Sequence, residues 1–329
     1  MPAITAEKEA HMKELNYTPV LIAIDHGYGQ IKTPNFVFPT VPTGVQSCFG
    51  TPAFAADILE WAGRKYIIGI GHKEVRVGKT ADEDFRLLTM AAVAKELERM
   101  SLREAAVYLA LGLPLDWAAD QKETFRSYMR TPYEQSFTYN GVTYDIEIAD
   151  VLIHPQGFAA VAGHLDQFRG MNMLCDIGHG TMSLMFINSG KPVPGRIYTE
   201  LMGVHQCVMS MRDAAMKEFH ARLEDEQIED FLRNDNAEIP EKVKQIMDVT
   251  AREYVNRIMG KLGEHGFDPQ MMKLHLMGGG MWLVKKFGDK TVQDAIRSGS
   301  ILLNTDIHAS ARGYEAIARG TLKGRGVIV

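Results

Sequence analysis

Short apolar runs rich in β-branched residues, each closing on a charge or a glycine, alternate along the chain with stretches whose apolar positions recur every three to four residues. The first run, "VLIAID" at 20–25, predicts a strand. After Gly27 and Gly29 the segment "IKTPNFVFPTVP" reads as further strand interrupted by prolines, so the two form a hairpin with a glycine-rich turn. Asp25 then stands at a strand end beside exposed backbone.

Further along, "WAGRKYIIGIGH" predicts a small hairpin turning at Ala62 and Gly63, and a helix follows from Asp82 to about Met100. A buried strand runs up to Leu111, a helix occupies about 118–130, and two strands flank the Asn140-Gly141 turn. Gln156 to about Phe168 reads as helix. At "MNMLCDIGHGTMSLMFINSGKPVP" the strand, acidic end, glycine turn and strand appear again, about 150 residues after their first use. Residues 201–265 read as helical, with the charged stretch "RLEDEQIEDFLRNDNAEIPEKVK" as a solvated face and loop. "MMKLHLMGGGMWLVKKF" predicts a strand, a glycine turn and a helix start, and "NTDIHASARGYEAIARG" a loop into a closing helix. Residues 1–17 read as a short helical or frayed extension.

The 329 residues, 46% hydrophobic and 23% charged, suffice for two packed cores. A net charge of −5 without a long basic block argues against direct nucleic-acid binding through phosphate neutralisation. Three scattered cysteines, Cys48, Cys175 and Cys207, fit neither a disulfide framework nor a zinc site and point to the reducing cytoplasm. No apolar run approaches the roughly 20 residues that span a bilayer, so no membrane role is expected.

The chemistry lies in the glycine turns. Such a turn after a strand aims several backbone N–H groups at one point, and the missing side chains let a phosphate approach. A carboxylate at the same strand end repels phosphate but holds Mg²⁺, which favours one or two carboxylates plus phosphates. A single acidic hairpin is ordinary turn chemistry; Asp25 and Asp176 together with the "GGG" of 278–280 make a site the better reading. "VRVGKT" at 75–80 lacks the first glycine of a phosphate-binding loop and "GIGHKE" lacks the third glycine of a dinucleotide fingerprint, so both read as surface turns. His26 and His179 either touch phosphate oxygens or fill their turns, and no histidine spacing suits a metal. The 19 methionines read as core filling.

The ordered set "AIDHGYGQIK", "VLIHPQGFAAVAGH", "LCDIGHGTMSLMFI", "LHLMGGGMWL" and "IHASARGYEAIARG" resembles the nucleotide-site segments of the actin, Hsp70 and sugar-kinase superfamily, and within it the bacterial ParM-type actin-like proteins. The resemblance runs from about residue 20 to 320 and implies an α/β actin-like fold: two similar α/β domains around a nucleotide cleft, each with a smaller inserted subdomain. The first would span 18–168 with an insertion at about 45–80 and be completed by a C-terminal helix at 306–329. The second would span 169–305 with a helical insertion at about 205–268. Asp25, Gly27, Tyr28, Gly29 and Lys32 match the first phosphate loop, with Lys32 offsetting phosphate charge; Asp176, Gly178, His179, Gly180 and Thr181 match the second. Gly278, Gly279 and Gly280 match the adenosine segment. Gln156 falls where relatives align the attacking water, and Asp25 and Asp176 would hold Mg²⁺, directly or through water. Arg212, Lys217 and Glu218 lie near where relatives contact adenosine, or form a solvated helix face.

The function so implied is an ATP-dependent filament-forming ATPase, ATP or GTP being the nucleotide, that segregates plasmid or chromosomal DNA. Its partners would be copies of itself, head to tail, and a DNA-binding adaptor of the ParR type. The alternatives are a small-molecule kinase on the same fold, for which Asp116 and Asp150 are the available bases, and a nucleotide-bound scaffold that does not polymerise. The short chain leaves no room for the peptide-binding domain of an Hsp70.

Overall fold

The computed structural model describes residues 17–27, 29–39, 45–48, 57–69, 84–114, 121–132, 134–233 and 237–329. The extension at 1–16, Tyr28, Asp116 and the "VRVGKT" segment lie outside these residues. The chain divides into two compact units, one made of 1–163 and 308–329, the other of 164–307.

The first unit is built on a nine-stranded sheet. Its strands are β1 (Pro19–His26), β2 (Gln30–Lys32), β3 (Val37–Pro39), β4 (Val45–Cys48), β5 (Ile58–Trp61), β6 (Arg64–Ile68), β7 (Glu104–Leu113), β8 (Glu134–Tyr139) and β9 (Val142–Pro155), in spatial order β3-β2-β1-β7-β9-β8-β5-β6-β4. β1 is apolar on both faces because both are covered. Val20, Ile22 and Ile24 pack with the helix Asp84–Arg99, while Leu21 and Ala23 join Ala106, Tyr108 and Ala110 under the helix Ala309–Gly324. Truncating Ile24, which is fully buried, to alanine would cost about 2–5 kcal/mol. Alanines on the second face let the C-terminal helix lie close to the strands.

The second unit holds a five-stranded sheet of β10 (Met171–Ile177), β11 (Met182–Asn188), β12 (Lys191–Glu200), β13 (Lys273–Met277) and β14 (Ile301–Leu303), in the order β12-β11-β10-β13-β14. β10 is antiparallel to β11 and parallel to β13, as β1 is antiparallel to β2 and parallel to β7. The five strands thus repeat the β3-β2-β1-β7-β9 half of the first sheet, in order and in direction. The acidic hairpin occupies the same station in both: Asp25 pairs in register with Lys32, and Asp176 with Ser183.

Two expectations change in detail. The segment after Gln156 is not a regular helix but tight 3₁₀ turns over Phe158–Gln167, broken at His164. Gly157 enters it at φ +74°, a left-handed conformation that interrupts an α-helix. The 201–265 region resolves into three helices, Val204–Phe219, Asp225–Arg233 and Glu241–Glu264, ending or starting where His220 takes a left-handed φ and Pro240 precedes a first turn. Among the described residues no helix is long and apolar enough to cross a membrane.

Candidate functional site

In the first unit, the turn between β1 and β2 is closed by Gly27 N donating to Gln30 O at 3.1 Å. A side chain at Gly27 would sit 2.7 Å from that same oxygen, so only glycine fits the turn. Asp25, at the tip of β1, faces Lys32 across the register, with Nζ 3.9 Å from Oδ2. The pair is loose enough for the ammonium to serve another anion as well. His26 points to the opposite face, where it is fully buried. Its Nε2 lies 2.8 Å from Thr89 Oγ1, and its ring stands edge-on to Phe85 and Phe125. Thr89 donates its own proton to Phe85 O, which makes His26 the donor. His26 is therefore a core histidine, the turn-filling alternative.

Gln156 follows the last residue of β9, and its backbone N donates to Leu113 O at 2.8 Å. From there its side chain reaches over β7 to Asp25, Nε2 donating to Oδ1 at 3.3 Å. Gly112, the β7 residue on the far side of Asp25 from Lys32, makes this reach possible: a Cβ there would lie 2.9 Å from Gln156 Cγ and 2.1 Å from Tyr314 Oη. Asp25 thus contacts both Lys32 of the first glycine turn and Gln156 after β9. Gly112 and Tyr314 were not expected; a glycine inside an otherwise apolar strand, as in "ALGLPL", is the signal that marks such a close approach.

In the second unit the same turn recurs, Gly178 N donating to Thr181 O at 2.8 Å. Here the helix Val204–Phe219 begins directly against the loop. Val204 N donates to Gly178 O and His205 N to His179 O, so two of the amides that a helix start leaves open are consumed in fixing the loop. Gly203 N is capped by Gln206 Oε1 at 2.8 Å, and Tyr254 donates its hydroxyl to Gly203 O at 2.7 Å.

Asp176 ends β10 half-buried, with the "GGG" turn packed against it. At Gly278, with φ +79°, a Cβ would lie 2.4 Å from Asp176 Oδ1 and 2.5 Å from Ile177 O. At Gly280 it would lie 2.1 Å from the Ile177 side chain, whereas at Gly279 it would make ordinary contact. Asp176, Gly178, His179, Gly180, Thr181 and Gly278 to Gly280 are thereby gathered at one end of the five-stranded sheet. The His179 ring stacks obliquely on His205 at 5.3 Å, and burial, with His205 and Arg233 nearby, pushes its pKa down to about 4. His179 is neutral at pH 7 and offers a hydrogen bond, not a charge.

Arg212 is ion-paired with Asp225 of the next helix, and Lys217 and Glu218 are exposed. Asp150 is buried and held by Arg126 at 2.6 Å and by Arg325 at 3.0 Å, an arrangement that ties this carboxylate to the fold. Among the described residues no cluster of three or more His, Cys, Asp or Glu could hold a metal by protein ligands alone. Asp25 and Asp176 are single carboxylates beside glycine turns, a setting in which a Mg²⁺ would need phosphate and water oxygens to complete its shell.

Residues 23–158 match the family of actin like proteins, N terminal domain. No curated protein sequence matches the chain. Among solved structures, an archaeal actin homolog is similar over 92% of this chain and 99% of its own, at 17% identity and a TM-score of 0.72. That homolog has also been solved in complex with ADP. A 15-stranded ParM filament from Clostridium botulinum is similar over 92% and 99% at 17% identity and a TM-score of 0.70. The actin-like protein Alp7A is similar over 93% and 97% at 14% identity and a TM-score of 0.72. The resemblance to actin-like proteins read from the sequence holds, and the chain has the actin-like fold.

Proposed function

From that actin-like fold we propose that the protein is an ATPase that assembles head to tail into filaments and acts in DNA segregation, with hydrolysis driving filament turnover. The observation that carries this reading is the repeated acidic hairpin: Asp25 before Gly27 and Gly29, Asp176 before Gly178 and Gly180, each on the central strand of a matching sheet half.

Each turn presents main-chain amides to phosphate oxygens, and Lys32 offsets the charge that spreads over them during transfer. Gly278, Gly279 and Gly280 let the nucleoside lie on backbone. Asp25 and Asp176 would hold Mg²⁺ directly or through its waters; bound there, the ion would neutralise charge developing on the phosphates. Gln156 is a poor base but carries both a donor and an acceptor. Its amide nitrogen is committed to Asp25, which leaves the carbonyl oxygen to orient the attacking water.

Head-to-tail contact between identical chains is heterologous, and when it does not close into a ring it yields a filament. The filament relatives support self-association, and a DNA-binding adaptor of the ParR type would link such a filament to its cargo. The net charge of −5 favours an adaptor over direct binding. Right-angle light scattering and pelleting with Mg-ATP, Mg-GTP, a slowly hydrolysed analogue and ADP test the reading. Polymer with a triphosphate and disassembly after hydrolysis are expected; flat scattering at high protein concentration with every nucleotide would remove it.

A further inference from the structure

The C-terminal helix touches the turn that carries Gln156 at two points. Tyr314 is fully buried, and a Cβ built on Gly112 would lie 2.1 Å from its hydroxyl and 2.9 Å from Gln156 Cγ, so both side chains close over the same glycine. One residue earlier, Gly313 brings the helix so close to the 3₁₀ turn that a Cβ there would lie 2.0 Å from Ala159 O. On the strand side the ring of His154 lies nearly parallel to that of Tyr314, 5.9 Å apart at 12°, and is itself buried. Tyr314 is thus wedged between His154 and the open face of Gly112, the glycine over which Gln156 reaches Asp25.

We propose that Tyr314 is a positioning residue for nucleotide hydrolysis: it holds the Gln156 amide in the rotamer that crosses β7, and through it the C-terminal helix sets the geometry of the water-aligning group. A long, flexible glutamine loses side-chain entropy when fixed, and the phenol hydroxyl, held over Gly112 by its buried ring, removes the competing rotamers. The packing at Gly313 keeps the ring from backing away. This inference rests on the ATPase reading above, and it predicts that Tyr314 acts on turnover, through Gln156, and not on nucleotide capture.

The test compares wild type, Tyr314→Phe, Gln156→Ala and the double variant for steady-state phosphate release and for equilibrium binding of a fluorescent ATP analogue, with circular dichroism melts as a fold control. Tyr314→Phe keeps the ring and deletes the atom against Gly112. The expected result is a kcat about 3- to 10-fold below wild type with nucleotide affinity within about twofold, and a double variant no slower than Gln156→Ala alone, because the two residues act as one unit. Undiminished turnover in Tyr314→Phe, a loss confined to affinity, or a loss that multiplies on the Gln156→Ala background would overturn the inference. Should Tyr314→Phe melt early, Tyr314→Met at a temperature below its transition supplies the same comparison. A wild-type chain that binds no nucleotide and releases no phosphate overturns the ATPase reading itself, a different outcome from any of these.

Discussion

The Gln156 amide nitrogen donates to Asp25 Oδ1 at 3.3 Å by passing over Gly112, so the turn that follows β9 is joined to β1 across β7, the strand between them. Replacing Gln156 by alanine would remove the group proposed to align water and leave both glycine turns intact. Turnover is expected to fall about 10- to 100-fold with little change in nucleotide affinity. Phosphate release against binding titrations checks this.

Gly112→Ala probes the same relationship from below. The added methyl would meet Tyr314 Oη and Gln156 Cγ, and overpacking of this kind costs about 1–3 kcal/mol. Chemical denaturation should show the loss, and the variant should hydrolyse more slowly than Gly260→Ala, whose Cβ meets nothing within 4 Å.

The two carboxylates predict a metal dependence with a definite sign. On the proposed reading Asp25 and Asp176 would repel phosphate without Mg²⁺ and would bind it through the ion. Asp25→Asn and Asp176→Asn should each weaken Mg-ATP by about tenfold while leaving ATP in EDTA bound as well as, or better than, in wild type. Titrations with and without the chelator read this directly. Equal losses in both conditions would mean that the carboxylates serve the fold alone.

Acid should destabilise the protein through its buried histidines. Burial holds His154, His179 and His275 near a pKa of about 4, against 6.5 for an exposed histidine. Between those values the unfolded chain takes up protons that the folded chain refuses, so stability rises with pH across that window and is complete above it. The melting temperature at pH 5 should lie at least about 5 °C below that at pH 7.5. A flat profile over this range would show that the three rings are not held neutral.

Much of this was legible in the sequence, for physical reasons that differ by residue. Asp25 and Asp176 stood out because an apolar strand has no use for a terminal charge beside glycines, and the second copy made coincidence a poor account. Gly278 and Gly280 were found as a run, although what they admit, the Asp176 carboxylate and the Ile177 side chain, needs three dimensions. His26 could not be decided from sequence, because the face it takes depends on the partner Thr89, 63 positions away. Tyr314 was invisible: its role comes from a helix late in the chain packing on a strand near the start, and a lone tyrosine in an alanine-rich helix carries no local signature. Gly157 ended the expected helix through a backbone angle that apolar periodicity does not report.

The measurement that bears most directly on the account is phosphate release from Mg-ATP as a function of protein concentration, run beside sedimentation. The account predicts little turnover below a threshold concentration and a steep rise above it, coincident with pelletable polymer. A rate per molecule that is constant with concentration, or that appears only when a sugar or other acceptor is added, would contradict it.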